Sequence, residues 1–234
     1  MTRTDQPTTT AHQVTLSGAL SALVEEFAGT FAPETVAECL EDSYERLLPA
    51  SVSSFLPLLA QRFTRERLRA AVRAADQSAA PRRDEGEGRP SSLVLFVCTA
   101  NSGRSQLAAA LLAHRSAGEV QVASAGTTPG AAVQSEVALV LDELGIDTGE
   151  LFPKPLTDEV VAGADVVVTM GCGDSCPVLP GRRYLDWGVA DPQGRDLEAV
   201  RRIRDDIDAR VVALLDDLLV DRQAPAAPAA PAAR

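Results

Sequence analysis

The sequence predicts an α/β fold: a doubly wound, four-stranded parallel sheet preceded by a small three-helix bundle. Three observations predict it. Four short apolar runs alternate with helix-patterned segments after residue 92, which is the pattern of successive βαβ units. Three amphipathic helical patterns stand together before residue 76. Between the two regions, residues 76–91 are polar, charged and rich in Gly and Pro, a composition that reads as a linker.

The elements follow in order. Residues 1–13 are polar and threonine-rich, without the apolar stretch of a signal peptide, and are expected to be a disordered N-terminus. Residues 15–28 carry Leu16, Leu20, Leu23, Val24 and Phe27 at helical spacing. Residues 33–48 open with Pro33, a helix-start residue, and carry Val36, Leu40, Tyr44 and Leu47. Residues 53–74 carry Phe55, Leu58, Leu59, Phe63, Leu68 and Val72, with Pro57 marking a break or a start. Short connections argue for a bundle over residues 14–75. Its stripes read as core rather than as a ligand pocket, and Cys39 as a buried thiol. Residues 92–222 form the second unit, with strands expected at 93–97, 120–124, 165–169 and 183–186. Helices are expected there at 103–115, 133–144, 157–162 and 196–219. On the last of these, Asp196, Asp205, Asp206 and Asp208 with the neighbouring arginines read as a solvated face. Residues 223–234, rich in Ala and Pro, are expected to be a disordered tail.

Composition excludes several classes. The formal net charge of −11 argues against nucleic-acid binding. No apolar run approaches the ~18 residues needed to span a membrane. Four cysteines kept as reduced thiols fit a cytoplasmic protein.

The chemistry concentrates at Cys98-Thr99-Ala100-Asn101-Ser102-Gly103-Arg104-Ser105, set between a buried strand and a helix. A loop in that position gathers backbone N–H groups around one point and aims a helix N-terminus at it, which suits a phosphate-like oxyanion. The same surroundings favour a thiolate, the nucleophilic form of cysteine. The planar fork of Arg104 can reach two oxygens of a tetrahedral anion. The Ser105 hydroxyl stands where it can donate to the Cys98 sulfur. Asn101 tolerates an unusual backbone angle and can fix the loop, and Gly103 lets it turn without a Cβ clash. A structural cysteine with an arginine six residues on by chance is the competing reading. The strand and helix falling where the chemistry needs them argue against it.

These residues resemble the low-molecular-weight protein tyrosine phosphatase superfamily, which includes arsenate reductases. The resemblance covers roughly residues 92–220, with Ser124-Ala125-Gly126 after the second strand and Asp191-Pro192 near the end. It implies Asp191 as the general acid, a loop of residues 99–105 as the anion cradle, and Asn101, Ser105 and Ser124 as supporting residues. Asp-Pro by itself would read as a turn.

Cys172 and Cys176 choose between branches of that superfamily. They follow a buried run, Asp165-Val166-Val167-Val168, and so sit at a strand's C-terminal end, as Cys98 does. Three intervening residues allow the approach a disulfide requires. The stretch resembles the redox segment of thioredoxin-coupled arsenate reductases, which use three cysteines, although its spacing is shorter than in some members. Zinc would need two more ligands, and Cys39, Cys98, His12 and His114 are scattered, so no metal site is expected. Two inert core thiols and a structural disulfide are the other readings of the pair. His114, about three turns along its helix, reads as a helix-end residue rather than a base. Gln193 follows Pro192, and Thr-Thr-Pro-Gly-Ala-Ala follows Gly126, so an aryl phosphate has little to stack against. Tyr184 and Trp187 are the rings left to a phosphatase.

The expectation is therefore reduction of arsenate to arsenite by Cys98, Cys172 and Cys176. No cofactor is tightly bound, and an external thiol, thioredoxin or mycothiol, supplies electrons; with mycothiol, Cys98 alone would suffice. The rivals are a phosphatase for phosphotyrosine or small phosphoesters, with phosphate in the arsenate's place, and an oxyanion-binding or redox-sensing module. The N-terminal helices are open to homodimer formation, partner docking or a stabilising role.

Overall fold

The computed structural model describes residues 10–48, 55–79, 91–171 and 178–223. The elements run α1 (Thr10–Glu26), α2 (Pro33–Leu47), α3 (Leu56–Ala79), β1 (Leu93–Cys98), α4 (Arg104–Ser116), β2 (Gln121–Gly126), α5 (Ser135–Asp142), α6 (Asp158–Gly163), β3 (Val166–Met170), β4 (Arg183–Asp186) and α7 (Leu197–Gln223). All strand pairs are parallel, in the order β2-β1-β3-β4.

The sheet is wound on both faces, as the alternation of elements demands. All six residues of β1 are buried. Val94, Phe96 and Cys98 pack with α4, α5 and α7 through Leu107, Leu111, Val140, Ile207 and Val211. Leu95 and Val97 point the other way, to Val160 and Val161 of α6 and Ala70 of α3. A helix of six residues is about 9 Å long and cannot cover that face alone. The 24-residue α3 completes the layer.

α3 therefore serves two cores. Leu56, Ala60, Phe63 and Leu68 pack against Leu23 and Phe27 of α1 and Val36, Leu40, Tyr44 and Leu47 of α2. Further along, Ala70 lies against the sheet, and polar residues clamp the seam. Arg67, 5% exposed, donates to Asp42 at 2.7 Å and Ser43 at 2.9 Å on α2 and to Glu159 at 2.8 Å on α6. Burial pushes the Glu159 carboxyl up, but the hydrogen bond and charge of Arg67 together with further hydrogen bonds to the carboxylate outweigh it, and the group stays below the usual carboxylate range. Arg73 pairs with Asp165, whose other oxygen accepts from Gln77 at 3.0 Å.

Several elements extend past or shift from their sequence readings. α1 starts at Thr10, four residues inside the stretch expected to be disordered, and His12 bonds the Tyr44 hydroxyl at 3.0 Å. α3 runs to Ala79, four residues into the expected linker, because Arg73 and Gln77 still have Asp165 to hold. Residues 1–9, 80–90 and 224–234 lie outside the described residues. Phe55 and Leu58 are 59% and 41% exposed, not core. Starting the helix at Leu56-Pro57 sets the buried phase at 56, 60 and 63 and leaves those two outside it. β2 continues through Gly126, so Ser124-Ala125-Gly126 ends the strand rather than following it. Cys39 is half-buried, and its burial raises the thiol above its ordinary value.

The seam between α3 and α6 has no room for a side chain at Gly163. A Cβ there would stand 2.6 Å from the Ala70 carbonyl oxygen and 2.9 Å from its Cα. Gly163→Val is expected to pry the helices apart and destabilise the protein by about 1–3 kcal/mol, the usual cost of overpacking. Thermal denaturation checks this, and an unchanged Tm would mean the seam is looser than its geometry.

Candidate active site

β1 delivers Cys98 to the C-terminal edge of the sheet, between Gly126 of β2 and Met170 of β3 in register. The chain leaves β1 for β2 on one side and reaches β3 on the other, so this edge is the switch point where open α/β sheets form their crevice.

The loop that follows is held from outside by its carbonyls. Cys98, Thr99 and Ala100 accept from the N–H groups of Thr127, Thr128 and Gly130 at 3.2, 2.8 and 2.8 Å. The Ser102 and Gly103 carbonyls accept from the Gln134 and Leu107 N–H groups, both at 2.9 Å. The Asn101 carbonyl accepts from Gln106 Nε2 at 3.0 Å. Every carbonyl from Cys98 to Gly103 is thus engaged. In a trans peptide the N–H points opposite the preceding carbonyl. The N–H groups of residues 99–104 are therefore turned the other way, where α4 begins at Arg104 with its first-turn N–H groups open. Backbone N–H groups turned together at a helix N-terminus suit a bound oxyanion.

The thiol lies at its base, 2% exposed. The Asn101 N–H donates to Cys98 Sγ at 3.2 Å, and Ser105 Oγ lies 3.0 Å from it. Ser105 Oγ already accepts from Asn101 Nδ2 at 2.8 Å, so the hydroxyl's own proton is the one left for the sulfur. Asn101 is the hub. Its φ of 48° is left-handed, a region asparagine enters at low cost. Its Oδ1 accepts from the Lys154 N–H at 2.8 Å and from Gln106 Nε2 at 3.1 Å, which fixes the amide's orientation. Gly126 lets the loop lie this close to β2: a Cβ there would stand 2.8 Å from the Thr99 oxygen and 2.9 Å from the Asn101 nitrogen.

Arg104 and Asp191 close the rim. Arg104 Nη2 meets Asp191 Oδ2 at 2.7 Å, and the other Asp191 oxygen accepts the Gln193 N–H at 3.0 Å. Pro192 lies on the loop, where a Cβ on Gly103 would be 2.7 Å from its ring. Across the rim the Thr99 hydroxyl donates to the Gly171 carbonyl at 3.1 Å. Gly171 has a left-handed φ of 73°, and a Cβ on it would stand 2.6 Å from Arg104 Nη1. The left-handed angle is what favours glycine here, since the Arg104 contact is with the end of a flexible side chain.

The structure thus gathers Cys98, the loop residues 99–105 and Asp191. Cys172 and Cys176 lie outside the described residues, between Gly171 and Val178. Ser124 is buried opposite Phe96, two residues back from the edge, and among the described residues no hydrogen bond joins it to the loop. Trp187 is core, its ring 5.7 Å from that of Phe96, and the Tyr184 hydroxyl accepts the Leu179 N–H at 2.8 Å. His114 sits exposed in the last turn of α4. Asp196 accepts the Ala199 N–H at 2.7 Å and starts α7, and Arg201 and Arg204 both reach Glu143 after α5, so part of that charged helix face is engaged.

Sequence reasoning missed Gln106, Lys154 and the second use of Gly126. Gln106 is 1% exposed and gives its Nε2 protons to Asn101 and to the Phe152 carbonyl at 2.8 Å. A glutamine on the buried side of an otherwise apolar helix was the available signal, since such a group must have partners. Among the described residues no helix is long and apolar enough to cross a membrane.

Comparisons with known proteins agree with this architecture. Residues 93–224 match the family described as low molecular weight phosphotyrosine protein phosphatase, and residues 16–72 match a protein-tyrosine-phosphatase-like N-terminal domain. A thioredoxin-dependent arsenate reductase of Corynebacterium glutamicum superposes with a TM-score of 0.77 at 36% identity, covering 90% of this chain and 99% of that one. A putative arsenate reductase of Halobacterium salinarum is 36% identical over 131 residues, 54% of this chain and 92% of its own length. An arginine phosphatase of Geobacillus stearothermophilus superposes with a TM-score of 0.50 at 25% identity, covering 58% of this chain and 99% of that one. The family match takes in more than half of the sequence and every residue of the loop built around Cys98, and the chain belongs to the low molecular weight phosphotyrosine protein phosphatase family.

Proposed function

We propose that this chain reduces arsenate to arsenite in the cytoplasm, through Cys98, Cys172 and Cys176, with electrons from a thioredoxin-type dithiol. One observation carries the relay. The residue before Cys172, Gly171, is pinned against Thr99 and Arg104 at the lip of the loop. The chain therefore enters the two-cysteine segment at the rim of the anion cradle.

The reaction follows from the site. Arsenate binds against the loop N–H groups and Arg104, whose partner Asp191 then turns to the leaving oxygen. The Cys98 thiolate attacks arsenic, and Asp191 protonates the departing hydroxide, which leaves as water. The Cys172 thiolate attacks Cys98 Sγ. A sulfur–sulfur bond forms, the sulfur–arsenic bond breaks, and its electron pair stays on arsenic, which falls from the +5 to the +3 state and leaves as arsenite. The Cys176 thiolate then attacks Cys172 Sγ, expelling Cys98 as thiolate and leaving a disulfide between Cys172 and Cys176. Two thiols have lost two electrons and arsenic has gained two. An external dithiol reduces the disulfide by exchange. The similarity to the Corynebacterium glutamicum enzyme favours thioredoxin in that role.

A tyrosine phosphatase would need a wall for an aryl ring. Trp187 is committed to Phe96 and Tyr184 to Leu179, so neither candidate ring is free for that use.

Arsenite production by the purified protein with thioredoxin, thioredoxin reductase and NADPH tests the proposal. Wild type is expected to turn over, Cys172→Ser to stop after forming the arsenic adduct, and Cys176→Ser to stop at a Cys98–Cys172 disulfide visible by mass spectrometry. Multiple turnovers by both serine variants would remove the relay. Aryl-phosphate hydrolysis without arsenate turnover would turn the reading to a phosphatase.

A further inference from the structure

The two-proline segment Phe152-Pro153-Lys154-Pro155 touches both the N-terminal bundle and the anion cradle. On its bundle side, the Phe152 ring is part of the core formed by α1, α2 and α3. Lys154 Nζ bonds both carboxylate oxygens of Glu66 on α3, each at 2.9 Å, and rides 5.1 Å above the Phe152 ring. On its cradle side, the Phe152 carbonyl accepts from Gln106 at 2.8 Å. The Lys154 N–H donates to Asn101 Oδ1 at 2.8 Å, and the Lys154 carbonyl accepts the Gly126 N–H at 2.8 Å. Side chains face the bundle while main-chain groups hold the hub of the loop.

We infer that Glu66 is a positioning residue for the oxyanion loop, acting through Lys154 on Asn101, and that the N-terminal helices are in this way a working part of the active site. The inference rests on the reading of the loop as an anion cradle. Lys154 is 9% exposed, so its ammonium needs a counter-charge where it stands, and Glu66 provides one. Remove that carboxylate and the cheapest response is for Lys154 to swing towards water. Its main chain, confined between two prolines, moves with it. Asn101 Oδ1 then loses a fixed donor. The amide that orders Ser105, and through it the sulfur, loosens in turn.

The test uses the full chain and inorganic phosphate. Iodoacetamide alkylation of Cys98, resolved from the other cysteines by peptide mass spectrometry, is slowed by bound phosphate and so reports phosphate affinity. Glu66→Ala is expected to weaken that affinity about fivefold or more, roughly 1 kcal/mol of lost ordering. Glu66→Gln, which keeps the packing, is expected to fall between the two. Arg62→Ala breaks a different ion pair between α3 and the second unit, the 2.6 Å contact with Glu150, and is expected to leave phosphate affinity unchanged whatever it does to Tm. Glu66 variants that match wild type in phosphate affinity would overturn the inference even if they melt earlier, because a purely structural role predicts that. Weakening by Arg62→Ala to the same degree would also overturn it. A wild-type Cys98 that phosphate does not protect would remove the anion cradle itself.

Discussion

Cys98→Ser is expected to abolish arsenate turnover, by a factor of about 10⁴ or more, while leaving oxyanion binding close to wild type. The size follows from what the site is built to activate. A serine hydroxyl at neutral pH has essentially no ionised fraction, and among the described residues the hydrogen-bond partners of the sulfur are donors rather than bases. Asn101 N–H and the Ser105 hydroxyl both donate to this position. Donors stabilise an anion that already exists; they do not create one. Losing a covalent nucleophile from such a site commonly costs several orders of magnitude. Serine also cannot complete the later exchange, since no sulfur is left for a second thiol to attack. On the proposed reading binding is a separate property, carried by the loop N–H groups and Arg104; of these the substitution touches only the Asn101 N–H, and a serine oxygen can still accept from it. Arsenite production and phosphate titration by calorimetry read the two quantities apart. Turnover above about one per cent of wild type would place the nucleophile at another cysteine. Loss of phosphate binding together with turnover would mean that the sulfur, rather than the backbone, shapes the cradle.

The sequence made the sheet and its edge legible because both are local. Five apolar residues followed by Cys-x5-Arg-Ser and a helix pattern place a strand, a loop and a helix N-terminus in one order, and β1, the loop and α4 follow it. The burial of Val36, Leu40, Tyr44 and Leu47 on α2 was legible for the same reason, as one stripe at helical spacing. What stayed hidden was the pairing of remote segments. Nothing near Ser124 in sequence says that it stops two residues short of the edge. Nothing near Trp187 says that Phe96 will take it into the core. The bundle read as a separate unit because its stripes account for one face of each helix. The second face of α3, where Ala70 and Arg67 meet α6, is small and charged and carries no hydrophobic signal. The same blindness hid Lys154. A lysine between two prolines reads as an exposed loop, and only the fold brings Glu66 to it.

Asn101→Asp is expected to cut kcat/KM by about 10²–10³, and its stability cost is expected to come from burying a charge at a residue with no exposure, so that it fades as pH falls and the carboxyl protonates. The substitution is nearly isosteric. A carboxylate still accepts from the Lys154 N–H and Gln106 Nε2, so no buried donor is orphaned. Aspartate also enters the left-handed region that φ = 48° demands, as alanine does not without strain. What changes is the direction of one hydrogen bond. Asn101 Nδ2 now donates to Ser105 Oγ, which leaves the serine proton for Cys98. A carboxylate there can only accept, so the Ser105 proton turns towards it and the sulfur loses a donor. At the same time a negative charge appears one hydrogen bond from the nucleophile and beside the cradle, where it opposes both the thiolate and the bound oxyanion. Phosphate affinity should therefore fall more than about tenfold along with turnover. Asn101→Ala provides the contrast. It strands the buried Lys154 N–H and strains the backbone, at a cost of about 1–3 kcal/mol for the first and 1–2 kcal/mol for the second. Denaturant melts set beside phosphate titration and turnover distinguish the two variants. If Asn101→Asp lost the same stability at every pH, as Asn101→Ala is expected to, the amide would matter as a strut. If it kept both stability and activity, the proton order running from Asn101 through Ser105 to Cys98 would have no part in the chemistry.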